Sequence, residues 1–167
     1  MMAKILDACC GSKMFWFDKN HPSTIYFDKR EVENHEFYPG RYIEIKPDVV
    51  GDFTNLPFDD NSFSLVVFDP PHLEKLGTRS WTYLKYGRLD GDWRMLIHDG
   101  FNECMRVLKP DGVLIFKWSE VQIKLTEVLE IIGDEHKPLF GHRSGKHNKT
   151  HWITFMKGDK NETTKSR

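Results

Sequence analysis

The run Phe63-Ser64-Leu65-Val66-Val67-Phe68 stops against Asp69-Pro70-Pro71-His72, and no other junction constrains the fold of this chain as much. The run is short, β-branched and bounded by polar residues, the pattern of a buried strand. Two consecutive prolines then exclude helix and strand alike, because neither has an N–H and each fixes φ. The chain must leave the sheet there on a stiff backbone, with the Pro70 and Pro71 carbonyls unused by any continuing ladder. A carboxylate at the C-terminal end of such a strand stands where open α/β sheets bind ligands. Asp69, a free proline carbonyl and the His72 ring at fixed spacing suit the gripping of a planar group that carries an amine. The competing reading of the tetrapeptide alone is a strand that ends in a proline turn capped by an aspartate.

The rest of the chain supplies the sheet that this strand needs. Ala3 to Ala8 reads as a short buried strand, followed by a Cys9-Cys10-Gly11-Ser12 turn and a short helix from about Ser12 through Met14-Phe15-Trp16-Phe17. Thr24 to Phe27 is a second strand, ending in Asp28. Residues 31–41 are polar and show no clear period; Ile43-Glu44-Ile45 alternates weakly, and Asp48 to Asp52 is apolar before it turns. Residues 73–93 interleave Lys75, Arg79, Lys85 and Arg88 with Trp81, Tyr83, Tyr86 and Trp93 and fit no single period. A segment this long inside a compact domain is usually functional or disordered, and a substrate loop or lid is expected. Met95 to Leu108 is the best helix, with Leu96, Ile97, Phe101, Met105 and Leu108 on one face. Lys109-Pro110-Asp111-Gly112 ends it. Val113 to Phe116 is a strand and Glu120 to Ile132 an amphipathic helix. Leu139 to Gly141 and His151 to Met156 form a last hairpin around the polar stretch 142–150.

Strands that alternate with helices and close with a hairpin predict an α/β fold. The expected sheet is doubly wound, mostly parallel and of the seven-stranded type, with a C-terminal antiparallel hairpin. One domain is expected over residues 1–157, and a disordered tail over 158–167, which lacks apolar side chains. The 167 residues carry a net charge of -1, so no global polybasic signal points to nucleic acid or membrane. No apolar run approaches the ~18 residues of a membrane span. No signal peptide precedes Lys4, and the cytoplasm is the expected compartment. Three cysteines without a CxxC pair make neither a disulfide framework nor a zinc site.

Three acids end three successive elements: Asp7, Asp28 about 20 residues later, and Asp52. The Asp7-to-Asp28 spacing is that of a ribose clamp in a βαβ nucleotide site. Only Gly11 stands where a dinucleotide fingerprint wants three glycines, and an acidic crevice repels pyrophosphate. Such a crevice suits a cofactor with hydroxyls, an amine and a positive sulfur, which favours S-adenosylmethionine over NAD.

Residues 5–12 (Ile5 to Ser12), Asp28, Gly51-Asp52-Phe53, Leu56-Pro57-Phe58, Ser62-Phe63, Val67 to His72 and Val107-Leu108-Lys109-Pro110-Asp111-Gly112 occur in an order that resembles the class I S-adenosylmethionine-dependent methyltransferases. The resemblance spans nearly all of the chain to residue 157. It implies that Asp7, Ala8, Cys9 and Gly11 line the methionine part of the cofactor, that Asp28 holds the ribose hydroxyls, and that Asp52 and Phe53 hold the adenine. The loop keeps one glycine where the family has several, and the sequence starts at the first strand, without the helix that often covers the cofactor. Asp-Pro-Pro before a ring is similar to the signature of the amino-methyltransferases, which methylate exocyclic amines of bases. By that likeness Asp69, Pro70, Pro71 and His72 are the catalytic set. His72 replaces the usual Tyr or Phe, and it either stacks on the base or takes a proton.

A nucleic-acid substrate, adenine in DNA first and RNA second, is the expected partner, with Asp69 near both cofactor and base. Trp81, Tyr83 and Tyr86 would stack or clamp it. Residues 137–167 hold eight Lys or Arg against two acids, so Arg143, Lys146 and Lys149 would grip the backbone. No metal is expected, because His142, His147 and His151 have no ligand-type spacing. A separate recognition domain is lacking, so site selection would come from loops or from a partner protein. The alternatives are a small-molecule methyltransferase and a catalytically silent cofactor- or partner-binding module. The oligomeric state is not legible.

Overall fold

The Phe63–Phe68 strand (β6) lies in the middle of its sheet. It pairs in parallel with β1 (Ile5–Asp7) on one side and with β7 (Leu108–Ser119) on the other. The computed structural model describes residues 3–143 and 149–158. Beyond β1 stand β2 (Thr24–Asp28) and β5 (Val49–Val50); beyond β7 stand β9 (Thr150–Met156) and β8 (Phe140–Arg143). The seven strands run in the order β5-β2-β1-β6-β7-β9-β8, and only β9 is antiparallel to its neighbours. The mostly parallel sheet and the C-terminal hairpin are as the sequence predicts. The chain moves outward from β1 to β5 and then returns to β6. The reversal leaves a crevice at the C-terminal ends of β1 and β6, where doubly wound sheets take their ligands.

Alternation along the strands divides the residues between two faces. Leu6, Val66, Phe68, Leu114, Phe116, Trp118, Ile153 and Phe155 share one face and are almost fully buried. Helices α2 (Trp93–Val107) and α3 (Leu125–Ile132) pack on it through Ile97, Phe101, Cys104, Val128 and Ile132. Phe101 lies edge-on to Phe155 at 4.9 Å and to Phe116 at 6.1 Å. Asp92 caps α2 by accepting from the Arg94 N–H, so the helix begins two residues earlier than its apolar period suggests. α3 is shorter than expected at its start, because Glu120 is no part of the helix. Its carboxylate instead accepts from the Leu125 N–H at 3.2 Å.

On the opposite face the sequence predicted a short helix from about Ser12 to Phe17, and the structure has turns there instead. Gly11 and Lys13 both take left-handed φ, +49° and +53°, and two such residues within three break a right-handed helix. The turns still pack two rings, Phe15 and Trp16, half-buried against the sheet. Trp16 packs edge-on to Tyr26 at 5.2 Å and donates from Nε1 to Asp7 Oδ2 at 2.7 Å, while Phe15 meets Trp152 at 5.5 Å.

Two segments without a sequence period are ordered by their neighbours. Residues 31–41 contain β3 (Val32–Tyr38), which forms an antiparallel hairpin with β4 (Arg41–Ile45) between β2 and β5. The excursion at residues 73–93 is pinned at both ends by buried Leu73, Leu89 and Trp93, and the Leu89 N–H donates to the Leu73 carbonyl. Between them α1 (Trp81–Tyr86) starts at a Ser80 cap and stops at Gly87, φ +73°. Phe37 of β3 stacks flat on Trp81, with centroids 3.9 Å apart and planes at 8°. No described helix is long and apolar enough to cross a membrane. The expected tail lies, from residue 159 onward, outside the described residues.

Candidate active site

The C-terminal ends of β1, β2, β6 and β7 open into a cavity of about 410 Å³, roofed by α1 and the residues after it. Its floor is the turn after β1. The Cys10 N–H donates to the Phe27 carbonyl at 2.9 Å, which pulls the turn against β2. Gly11 donates its N–H to Asp28 Oδ2 at 2.8 Å, and the other Asp28 oxygen accepts from the Arg30 N–H at 2.9 Å. Asp28 is only 6 % exposed but still faces the cavity. An ideal Cβ on Gly11 would meet nothing within 4 Å, so the glycine serves the left-handed turn rather than a close approach. Cys9 and Cys10 line the same turn, and burial pushes both thiols well up, so neither is a nucleophile at neutral pH.

Asp52 and Phe53 stand on the next wall. Burial raises the Asp52 carboxyl, but hydrogen bonds from the Thr54 N–H (3.0 Å), the Thr54 hydroxyl (2.8 Å) and Lys29 (3.0 Å) outweigh it and hold the group below its ordinary range. Phe53 fits edge-on against Phe68 at 5.4 Å because α2 carries a glycine opposite. A Cβ on Gly100 would fall 2.4 Å from the Phe53 ring.

Asp69, Pro70, Pro71 and His72 line the opposite wall, as one rigid strip. The Lys117 Nζ lies 2.6 Å from Asp69 Oδ2. Burial raises the Asp69 carboxyl above its ordinary value, and the lysine charge and hydrogen bond offset only part of that rise. Burial and then the Lys117 charge depress His72 to about 4, so its ring is neutral at neutral pH. The ring sits 6.1 Å from Tyr86 and 6.3 Å from Trp118.

Not every residue expected at the site reaches it. Asp7 is 0 % exposed and does not line the cavity. Its carboxylate lies behind the turn, accepting from Trp16 and from the Cys9 N–H, and burial lifts its pKa to about 7. Ala8 is buried with it, so the pair shape the turn from beneath rather than line it. Tyr83 and Tyr86 line the cavity, whereas Trp81 turns to Phe37. Arg143 and Lys149 stand at the end of the β8–β9 hairpin where the two strands are joined. The Ser119↔Thr150 pairing puts that end on the same sheet edge as the cavity. Arg143 is 4.0 Å from Glu120, which also faces His151 at 3.3 Å. Lys146 and His147 lie outside the described residues.

Several cavity residues were missed from sequence, Arg30 and Lys117 foremost. Arg30 ties the end of β2 to α1 through the Tyr83 and Leu84 carbonyls, at 3.4 and 3.0 Å. Lys117 interrupts an apolar strand, and that interruption is the signal that would have found it. Together with Lys29, Lys85 and Arg88 these two set five cationic side chains against Asp28, Asp52, Asp69 and Asp90 around the cavity, so the lining is mixed in charge rather than the acidic crevice expected from sequence.

No protein-family model matches the sequence, and no curated protein matches it. Solved structures match the fold at low identity. A Pyrococcus horikoshii protein is 16% identical with a TM-score of 0.62, over 94% of this chain and 82% of the other. The N-methyltransferase NodS from Bradyrhizobium japonicum is 13% identical with a TM-score of 0.57, over 94% and 86%. A TehB-like SAM-dependent methyltransferase from Corynebacterium glutamicum is 16% identical with a TM-score of 0.55, over 93% and 80%. The chain therefore has the mixed α/β architecture of the methyltransferase Rossmann-like fold.

Proposed function

We propose that this chain transfers the methyl group of S-adenosylmethionine to an exocyclic amine of a nucleic-acid base, adenine in DNA first and RNA second. The observation that carries the reading is the Asp69-Pro70-Pro71-His72 strip on the wall of a cavity at the switch point of the sheet. The cavity volume is in the range of small-molecule sites, roughly 300–1,000 Å³.

The donor set fits the cofactor. Asp28 would accept from the ribose hydroxyls and Asp52 from the adenine amine, with Phe53 beside the ring; Cys9, Cys10 and Gly11 would line the methionine part, held in shape by Asp7 and Ala8. The turn after β1 carries the single glycine Gly11 where a dinucleotide site wants a glycine-rich run, which argues against a dinucleotide. When bound, the cofactor supplies an electrophilic methyl group.

The protein's own part is positioning and electrostatics. Asp69 and the Pro70 carbonyl accept the two N–H bonds of the amine and draw its lone pair out of conjugation. The lone pair would form the new N–C bond as the methyl–sulfur bond breaks and its electron pair stays on sulfur, and the surplus proton on nitrogen would leave to water. His72, neutral and a weak base, serves as a flat surface for the base rather than as the proton acceptor. Lys29, Arg30 and Arg88 at the cavity are held by Asp52, Asp28 and Asp90, so they balance the acids of the site.

Tritiated S-adenosylmethionine offered with unmethylated DNA, bulk RNA and a small-metabolite extract in parallel tests this reading. Label recovered in a methylated base amine is the expected result. Label confined to the metabolites would move the chain to the small-molecule class. Bound cofactor with no transfer anywhere would leave a binding module.

A further inference from the structure

Lys117 occupies an unusual position for a lysine. It stands in β7 opposite Trp152 of β9, with its side chain 22 % exposed and its ammonium 2.6 Å from Asp69 Oδ2. The Phe15 and Trp152 rings flank that ammonium, with centroids at 5.5 and 5.6 Å. The rings fix its place by cation–π attraction but accept no ordinary hydrogen bond. An ammonium has three donors, and among the described residues only Asp69 accepts from this one. Two donors thus remain at the wall of the acceptor cavity, beside a carboxylate whose second oxygen makes no described hydrogen bond. Leaving them unmet is unfavourable unless a ligand or water supplies acceptors.

We infer that Lys117 donates to the ring nitrogen next to the reacting amine, so that Asp69 and Lys117 together select a base edge with an N–H beside a lone pair. This rests on the proposed function of the site. On their Watson–Crick edges adenine and cytosine present that arrangement, N6 beside N1 and N4 beside N3. On the same edge guanine presents its amine beside the N1–H, which would face the ammonium donor to donor; its N3 lone pair lies on the other side of the amine, off the Watson–Crick edge. A lysine that only balanced the Asp69 charge would be indifferent to the atom next to the amine.

That difference gives a one-atom test on the full-length chain. Oligonucleotides carrying adenine or 1-deazaadenine at the methylated position (cytosine or 3-deazacytosine, should cytosine be the target) are compared with wild type, Lys117→Met and Lys117→Arg. Cofactor binding is measured for each protein to confirm that it is folded. Wild type is expected to lose about 10- to 100-fold in kcat/KM on the deaza base, the worth of one charge-assisted hydrogen bond. Lys117→Met should be slow on both bases and no longer tell them apart, while Lys117→Arg should keep part of the discrimination. A wild-type enzyme that treats the two bases alike overturns the assignment, whatever the variants do. A methyl group on the guanine amine overturns it too, but leaves the proposed function standing. No label in any base removes the proposed function, and the assignment with it.

Discussion

The Asp28 carboxylate accepts from the Gly11 N–H at 2.8 Å and, through its other oxygen, from the Arg30 N–H at 2.9 Å. One side chain therefore joins the turn after β1 to the end of β2, and each of its oxygens still has a lone pair for a ligand. Asp28→Ala is expected to weaken S-adenosylmethionine by roughly 1–3 kcal/mol, the loss of a buried hydrogen-bonding partner. Calorimetry that finds the affinity unchanged would remove Asp28 from the cofactor site.

His72 separates two mechanisms. A ring whose pKa is depressed to about 4 changes no charge near neutrality. The pH–rate profile is therefore expected to show no histidine inflection between about pH 6 and 8. His72→Phe should keep activity within about tenfold, because the flat surface survives, and His72→Ala should lose more. An inflection that disappears in His72→Phe would assign His72 a proton-transfer role instead.

Asp7 predicts a stability profile. Its folded pKa of about 7 lies above the ordinary 3.8, so the folded protein holds a proton that the unfolded chain releases across that window. The stability linked to this group is full below the ordinary value and is lost as pH rises through about 7. Asp7→Asn keeps an acceptor for Trp16 and removes the titration. The Tm of the variant should gain on wild type as pH is raised from about 5 to 8. Parallel Tm curves for the two proteins would show that Asp7 does not titrate in this way.

The Phe37–Trp81 stack anchors α1, a helix with no fully buried residue of its own, to the β3–β4 hairpin. Phe37→Ala should release about 0.5–1.5 kcal/mol of ring contact and speed amide hydrogen exchange over residues 81–86. Exchange there at the wild-type rate would mean that Arg30 alone holds the helix.

The parts legible in the sequence are those fixed by local chemistry. Proline geometry ends β6 after Phe68, and the apolar face of α2 recurs at helical spacing. β3 escaped notice because its residues are mostly exposed on both sides, which leaves no period of two. The helix expected near Ser12 rested on the apolar run from Met14, whereas left-handed turns and the Trp16–Asp7 hydrogen bond decide the path. That same bond takes Asp7 out of the cavity, although its place at a strand end suggested otherwise. Lys117 was lost when β7 was stopped at Phe116. The buried and half-buried alternation runs on to Ser119 and puts Lys117 on the face of Asp7 and Trp152.

Asp69 is where the mechanism can fail most directly. Wild type and Asp69→Ala are compared for S-adenosylmethionine binding and for labelled methyl transfer to nucleic acid, with mass spectrometry of the nucleosides. The expected result is a methylated base amine from wild type and none from Asp69→Ala, with cofactor affinities that agree within a few-fold. Full transfer by Asp69→Ala would contradict the proposed role of the carboxylate.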